Sequence, residues 1–136
     1  MQITRETDYA LRSVQYLAQR PGEVCMVDKI AAETEVPKSF LAKIIQKLTR
    51  AGLVESHRGA GGGYTLRRPA AEISLYDVIE IIEGPPLMNT CTADARRCGR
   101  VDHCVIHPVW VSLRREVEAL LKARKFSEFV ADKKDQ

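Results

Sequence analysis

The chain has 136 residues, 45% of them hydrophobic, with 21 basic and 18 acidic side chains and a net charge of +3. That is enough apolar material for one compact core plus a partner interface, and too little for two independent domains. No apolar run approaches the roughly 20 residues that cross a bilayer, and the N-terminus lacks the segments of a signal peptide, so a soluble cytoplasmic protein with no membrane partner is expected.

The first helix is expected after Thr4, carrying Tyr9, Leu11, Val14, Tyr16, Leu17 and Ala18 towards Arg20, where Pro21-Gly22 stops it. A second apolar pattern runs from Val27 through Ile30, Ala31 and Ala32 and gives out between Glu33 and Pro37. The third helix reads Lys38 to Ala51. Phe40, Leu41, Ile44, Ile45 and Leu48 recur on one side, and Lys38, Lys43, Lys47 and Arg50 fall mainly on the other. Gly52 closes it. Leu53-Val54-Glu55-Ser56 and Gly63-Tyr64-Thr65-Leu66 then read as two short strands around an Arg-Gly turn.

Two short helices with a tight connection, the second basic, followed by a hairpin, spell a winged helix-turn-helix. The overall charge is too small to identify a nucleic-acid binder, but its distribution is informative. Between Pro37 and Arg58 stand Lys38, Lys43, Lys47, Arg50 and Arg58 against the single acid Glu55. Candidate contacts to double-stranded DNA are Lys38, Ser39, Lys43 and Lys47 on the helix, with Arg58 and Gly59 at the wing tip. The arginine suits a minor groove or phosphate, and glycines let backbone N–H groups approach the duplex. A solvated basic face and a flexible glycine loop would be the plainer reading of either element alone. His57 is equally a phosphate contact or a solvent-facing residue.

After Pro69, Ser74 reads as the N-cap of a helix through Leu75, Val78, Ile79, Ile81 and Ile82, ended by Gly84-Pro85-Pro86. A cysteine-bearing loop without apolar periodicity follows. From Pro108 a long helix carries Val109, Trp110, Leu113, Val117, Leu120 and Leu121 on one face, more apolar surface than the winged unit can cover. A homodimer packed through Trp110, Leu113, Val117 and Leu120 is therefore expected, and a two-fold protein would read a palindromic operator. The expected fold is mainly α with a small β-hairpin. The winged DNA-binding unit would span 1–83, the cysteine loop 84–107, the dimerisation helix 108–130 and a frayed tail 131–136.

Cys91, Cys98 and Cys104 stand close together, with His107 three residues beyond the last. In a reducing cytoplasm thiols so gathered point to metal binding or redox chemistry in preference to structural disulfides. Zinc would suit a Cys3His set chemically, although its sites favour tighter pairs than these. Direct thiol oxidation is the other reading that needs no cluster. Cys25, far upstream, reads as a free thiol, buried or half-buried. Enzymatic signatures are missing: there is no phosphate-binding glycine loop with its lysine, no nucleophile elbow and no C-x-x-C pair.

Met1-Gln2-Ile3-Thr4, Thr7-Asp8-Tyr9-Ala10-Leu11-Arg12, Ile30-Ala31, Leu53-Val54, the wing Arg58-Gly59-Ala60-Gly61-Gly62-Gly63-Tyr64 and the three late cysteines together resemble the IscR/NsrR/RirA group of bacterial transcription regulators. The resemblance extends from residue 1 to about residue 125. It implies a homodimeric winged-helix repressor or activator whose DNA affinity is set by an iron–sulfur cluster on Cys91, Cys98 and Cys104. For the fourth ligand it implies His107, as in the IscR-like [2Fe–2S] arrangement, or Asp8 of the partner chain, as in the NsrR-like [4Fe–4S] arrangement. The first is favoured. The six residues between Cys91 and Cys98 are one more than the IscR-like spacing.

Overall fold

A computed structural model describes residues 2–131, so all but the first residue of the expected frayed tail lies outside the described residues. Helix α1 is Arg5–Ala18. Thr4, in extended backbone, caps it: its Oγ1 accepts the N–H of Thr7 at 3.2 Å, and Glu6 and Asp8 in the first turn meet the positive end of the helix dipole. Thr7, Ala10, Val14 and Leu17 form the buried stripe that faces the rest of the core.

Helices α2 (Val27–Thr34) and α3 (Lys38–Arg50) are joined by Glu35-Val36-Pro37. Glu35 takes a left-handed conformation, φ 58°, and its N–H donates to the Ala31 carbonyl, so the chain reverses within three residues. Val36 is buried in the turn. Leu41, Ile44, Ile45 and Leu48 bury one face of α3 against α1 and α2. The helix ends at Arg50, one residue earlier than its sequence suggests. Gly52, φ 77°, donates to Thr49 and Leu53 donates to Leu48, both at 3.0 Å, which satisfies the last carbonyls in a Schellman motif. Phe40 departs from its expected place. It sits about a quarter turn from the centre of the buried arc, is 48% exposed, and packs edge-on against Tyr9 with ring centroids 5.9 Å apart.

Strands β1 (Val54–His57) and β2 (Gly63–Leu66) pair antiparallel, with Val54 opposite Leu66 and His57 opposite Gly63. Cys25 adds a short bridge to this hairpin: its N–H donates to the Tyr64 carbonyl at 3.0 Å, and its own carbonyl accepts from Tyr64 N–H at 2.8 Å. Helix α4 (Leu75–Glu83) opens on a capping box in which Ser74 Oγ accepts from Asp77 N–H and Asp77 Oδ2 from Ser74 N–H, at 3.1 and 2.8 Å. The expected cysteine loop contains local structure: a single-turn α5 (Thr90–Ala93) and two 3-10 turns, Ala95–Arg97 and Val101–His103. Helix α6 runs His107–Ala123 and lies on α4 and α5.

The sequence predicts a last helix that continues to residue 130. It stops at Ala123, and the chain returns to the winged unit. Leu75 N–H donates to Arg124 O and Phe126 N–H to Ile73 O, both at 2.9 Å, while Gln15 Nε2 donates to Phe129 O at 3.1 Å. Phe126 is among the largest fully buried side chains and meets Phe129 edge-on. Burying a ring of this size stabilises by about 1.5–3 kcal/mol, more than one further helical turn could supply.

Candidate nucleic-acid interface and thiol segment

The exposed face of α3 carries Ser39, Ala42, Lys43, Gln46 and Arg50, spaced so that they form one ridge. Beside it an open cleft of about 610 Å³ runs to the wing, lined by Gln46, Thr49, Arg50, Ser56, Arg58 and Tyr64. A second cleft, about 510 Å³, lies between the start of α2, Lys38 and the same wing residues. Arg58 borders both clefts.

The wing tip owes its shape to glycine. Gly59 and Gly61 have φ of 99° and 75°, and a Cβ on Gly62 would stand 2.4 Å from the His57 carbonyl oxygen. His57 points across the hairpin, with Nε2 2.9 Å from Thr65 Oγ1. Among the basic candidates the surroundings differ. Lys43 and Arg50 are exposed and form no ion pair among the described residues. Lys38 Nζ lies 2.5 Å from Asp28 Oδ1 in a solvent-exposed pair. Lys47 turns to the first helix, where its Nζ meets Glu6 Oε1 at 2.7 Å. Gln46 is new to the candidate set, and Arg50, read from the sequence only as part of the basic face, joins it on this ridge. Their positions seven and eleven residues after Ser39 carried the signal, since both share its helix face.

Cys25 is buried; its thiol donates to Glu23 O at 3.4 Å, and burial pushes its pKa up. Cys91, Cys98 and Cys104 are free, half-buried thiols on three different turns: Cys91 in α5, Cys98 after Ala95–Arg97, Cys104 ending Val101–His103. Among the described residues no three His, Cys, Asp or Glu side chains converge as a metal cage, so the expected ligand set is close in sequence without being gathered. Two of the turns have side-chain caps, Asn89 Oδ1 accepting from Thr90 N–H at 2.7 Å and Asp94 Oδ1 from Arg96 N–H at 3.0 Å, while Val101–His103 has none. Closing thiolates onto one point without a cation would add like-charge repulsion.

His107 is the first residue of α6, and its Nδ1 is buried with no hydrogen-bond partner. Such an atom is costly to bury unless something binds it. Asp8 holds Arg12 of its own helix at 2.7 Å. It stands at the rim of a recess of about 330 Å³ whose walls include Leu11, Leu75, Phe126 and Phe129. On α6, Trp110, Leu113 and Val117 are half-buried, whereas Val109 and Leu120 are exposed, Leu120 by 69%.

Known proteins share this architecture. T. potens IscR superposes with a TM-score of 0.76 and 26% identity, covering 96% of this chain and 86% of that one. CymR, the global cysteine regulator of B. subtilis, gives 0.77 and 25%, covering 97% and 99%. Staphylococcus aureus CymR in its oxidized form gives 0.72 and 29%, covering 97% and 98%. Among relatives, protein aau3 of Rhizobium meliloti is 39% identical over 123 residues, 90% of this chain and 78% of that protein. No helix among the described residues is long and apolar enough to cross a membrane. Residues 3–132 match the Rrf2 family, described as an iron-dependent transcriptional regulator. The chain belongs to the Rrf2 family: it is a DNA-binding regulator of transcription with a winged helix-turn-helix fold, and not an enzyme.

Proposed function

We propose that this regulator binds a palindromic operator as a homodimer and that its affinity is set by an iron–sulfur cluster on Cys91, Cys98, Cys104 and His107. The buried, unpartnered Nδ1 of His107, at the helix start just beyond three half-buried thiols, carries the reading. The donors fit by chemistry, soft thiolates for iron and one imidazole nitrogen that lacks a partner. Asp8 of a partner chain is the alternative fourth ligand, and it would have to release Arg12. A [2Fe–2S] form accords with His107 and a [4Fe–4S] form with Asp8. When bound, the cluster supplies sensitivity to iron, nitric oxide or redox state.

The chain's own residues do the rest. The ridge from Ser39 to Arg50 presents hydrogen-bonding and cationic groups to a major groove, with Gln46 suited to an adenine edge. Lys38 and Lys43 on the helix and Arg58 with Gly59 at the wing hold phosphate or a minor groove. The bare apolar arc of α6, Val109 and Leu120 flanked by Leu113, Val117 and Trp110, suits the same arc of a second copy.

Direct thiol sensing without a cluster is the second reading, favoured by the separation of the three free thiols and by likeness to a CymR solved in oxidized form. Zinc is the third occupant to test. Anaerobic purification with metal and sulfide analysis decides among them. Brown protein holding iron and sulfide, lost on replacing any of the three cysteines by alanine, is the expected result. Colourless protein with stoichiometric zinc, or with no metal and full thiol titre, overturns it.

A further inference from the structure

Arg114 of α6 reaches out of its helix to the thiol segment: Nη1 donates to the carbonyl of Thr92, the residue after Cys91. Its Nε donates at 3.0 Å to Glu118 Oε1 one turn on, and the two side chains are only 26% and 19% exposed. The contact bridges residues 22 apart in sequence. A charge-assisted bond from a partly desolvated guanidinium to a backbone carbonyl is a strong tether. Thr92 is itself held, its Oγ1 donating to Asn89 O at 2.6 Å, so the tether fixes the whole single turn that carries Cys91.

The same helix face continues to α4. Residues 114, 118 and 122 follow at i, i+4, i+8 and form one ridge. Lys122 Nζ lies 4.6 Å from the centre of the Tyr76 ring, and burial, with the nearby Glu118 carboxylate next in importance, pushes the Tyr76 hydroxyl pKa up. Tyr76 belongs to α4, which packs on α3 and α1. Arg114, Glu118 and Lys122 thus line one side of α6 between the backbone beside Cys91 and Tyr76 of the helix that supports the recognition helix.

We propose that Arg114 is the positioning residue that straps the thiol segment to α6 and so couples the state of the cysteines to the α4–α3 surface. The coupling rests on the reading of the thiol segment as the sensing element; the strap itself does not. An Arg114 that only served an ordinary i, i+4 pair with Glu118 would leave the thiol segment indifferent to its loss.

Two measurements on the full chain test this. In metal-free reduced protein, Arg114→Ala should speed hydrogen–deuterium exchange across residues 89–94 by about tenfold or more while α1 and α3 keep their protection, with Arg114→Lys intermediate. Unchanged exchange overturns the strap. In operator titrations, Arg114→Ala should retain its iron and sulfide but bring the affinities of cluster-loaded and cluster-free protein to within about twofold of each other. A ratio equal to that of the wild type overturns the coupling. A wild type that takes up no iron, or binds DNA equally in both states, removes the cluster reading and the coupling together, and the exchange result still decides the strap.

Discussion

Gly63 lies so close to the backbone of Cys25 that a Cβ built on it would stand 2.3 Å from the Cys25 carbonyl oxygen. Two backbone hydrogen bonds between Cys25 and Tyr64 dock the wing at this point. Gly63→Ala must push the hairpin away from the segment before α2. It is expected to cost about 1–3 kcal/mol, as other overpacked sites do, and to weaken operator binding by displacing Arg58. A urea midpoint equal to that of the wild type would show that the wing is not anchored here.

The basic residues on and near α3 should separate in a salt-controlled binding assay. Arg58→Ala and Lys43→Ala should each weaken operator binding by about 1–3 kcal/mol, with Lys43→Ala also giving a shallower salt dependence, and neither should alter thermal stability. Lys47→Ala should weaken it less. Its ammonium is already engaged by Glu6, and the half-exposed pair is worth at most about 1 kcal/mol to the fold. Equal losses at Lys43 and Lys47 would mean that Glu6 gives up its partner when DNA binds.

Leu120 offers a clean test of the homodimer, because at 69% exposure its replacement leaves the core of the single chain untouched. Leu120→Asp would bury an uncompensated charge in a helix–helix interface. Sedimentation should show a monomer of unchanged thermal stability, and half-site binding only. A persistent dimer places the interface on another surface.

Thiol reactivity should divide the four cysteines. Cys25 is buried, and its raised pKa keeps it protonated further above neutral pH than an ordinary thiol. In metal-free native protein at pH 8, three thiols should react promptly with an aromatic disulfide and the fourth only after unfolding. Cys25→Ser should remove the slow phase. Rapid reaction of all four in native buffer would contradict the close docking of the wing.

Much of this could be read from the chain. Thr4, Ser74, Gly52 and Gly84 are local punctuation, and local signals survive without knowledge of the tertiary structure. The wing was legible for the same reason, since its glycines answer to a turn only a few residues long. What escaped depends on partners far away in sequence. Phe126 gives no periodic signal in a polar stretch, yet it enters the core because Ile73 and Leu75 supply backbone partners. The pairing of Lys47 with Glu6 is likewise invisible in the sequence, because the two stand 41 residues apart and only the packing of α1 brings them together. Phe40 lies outside the buried arc because the edge of an amphipathic arc depends on what packs beside it. In the thiol segment, side-chain chemistry was readable and arrangement was not, because successive short turns leave no apolar pattern to fix their relative positions.

The return of Phe126 to the core makes the stretch between α4 and residue 124 a closed excursion with both feet planted on the winged unit. The entropy of closing such a loop rises only slowly with its length. Insertions or deletions between α4 and α6 therefore cost the reading head little, provided both feet stay planted. Different detector segments can be accommodated on one DNA-binding frame, while removal of the residues beyond Ala123 would unseat the frame itself.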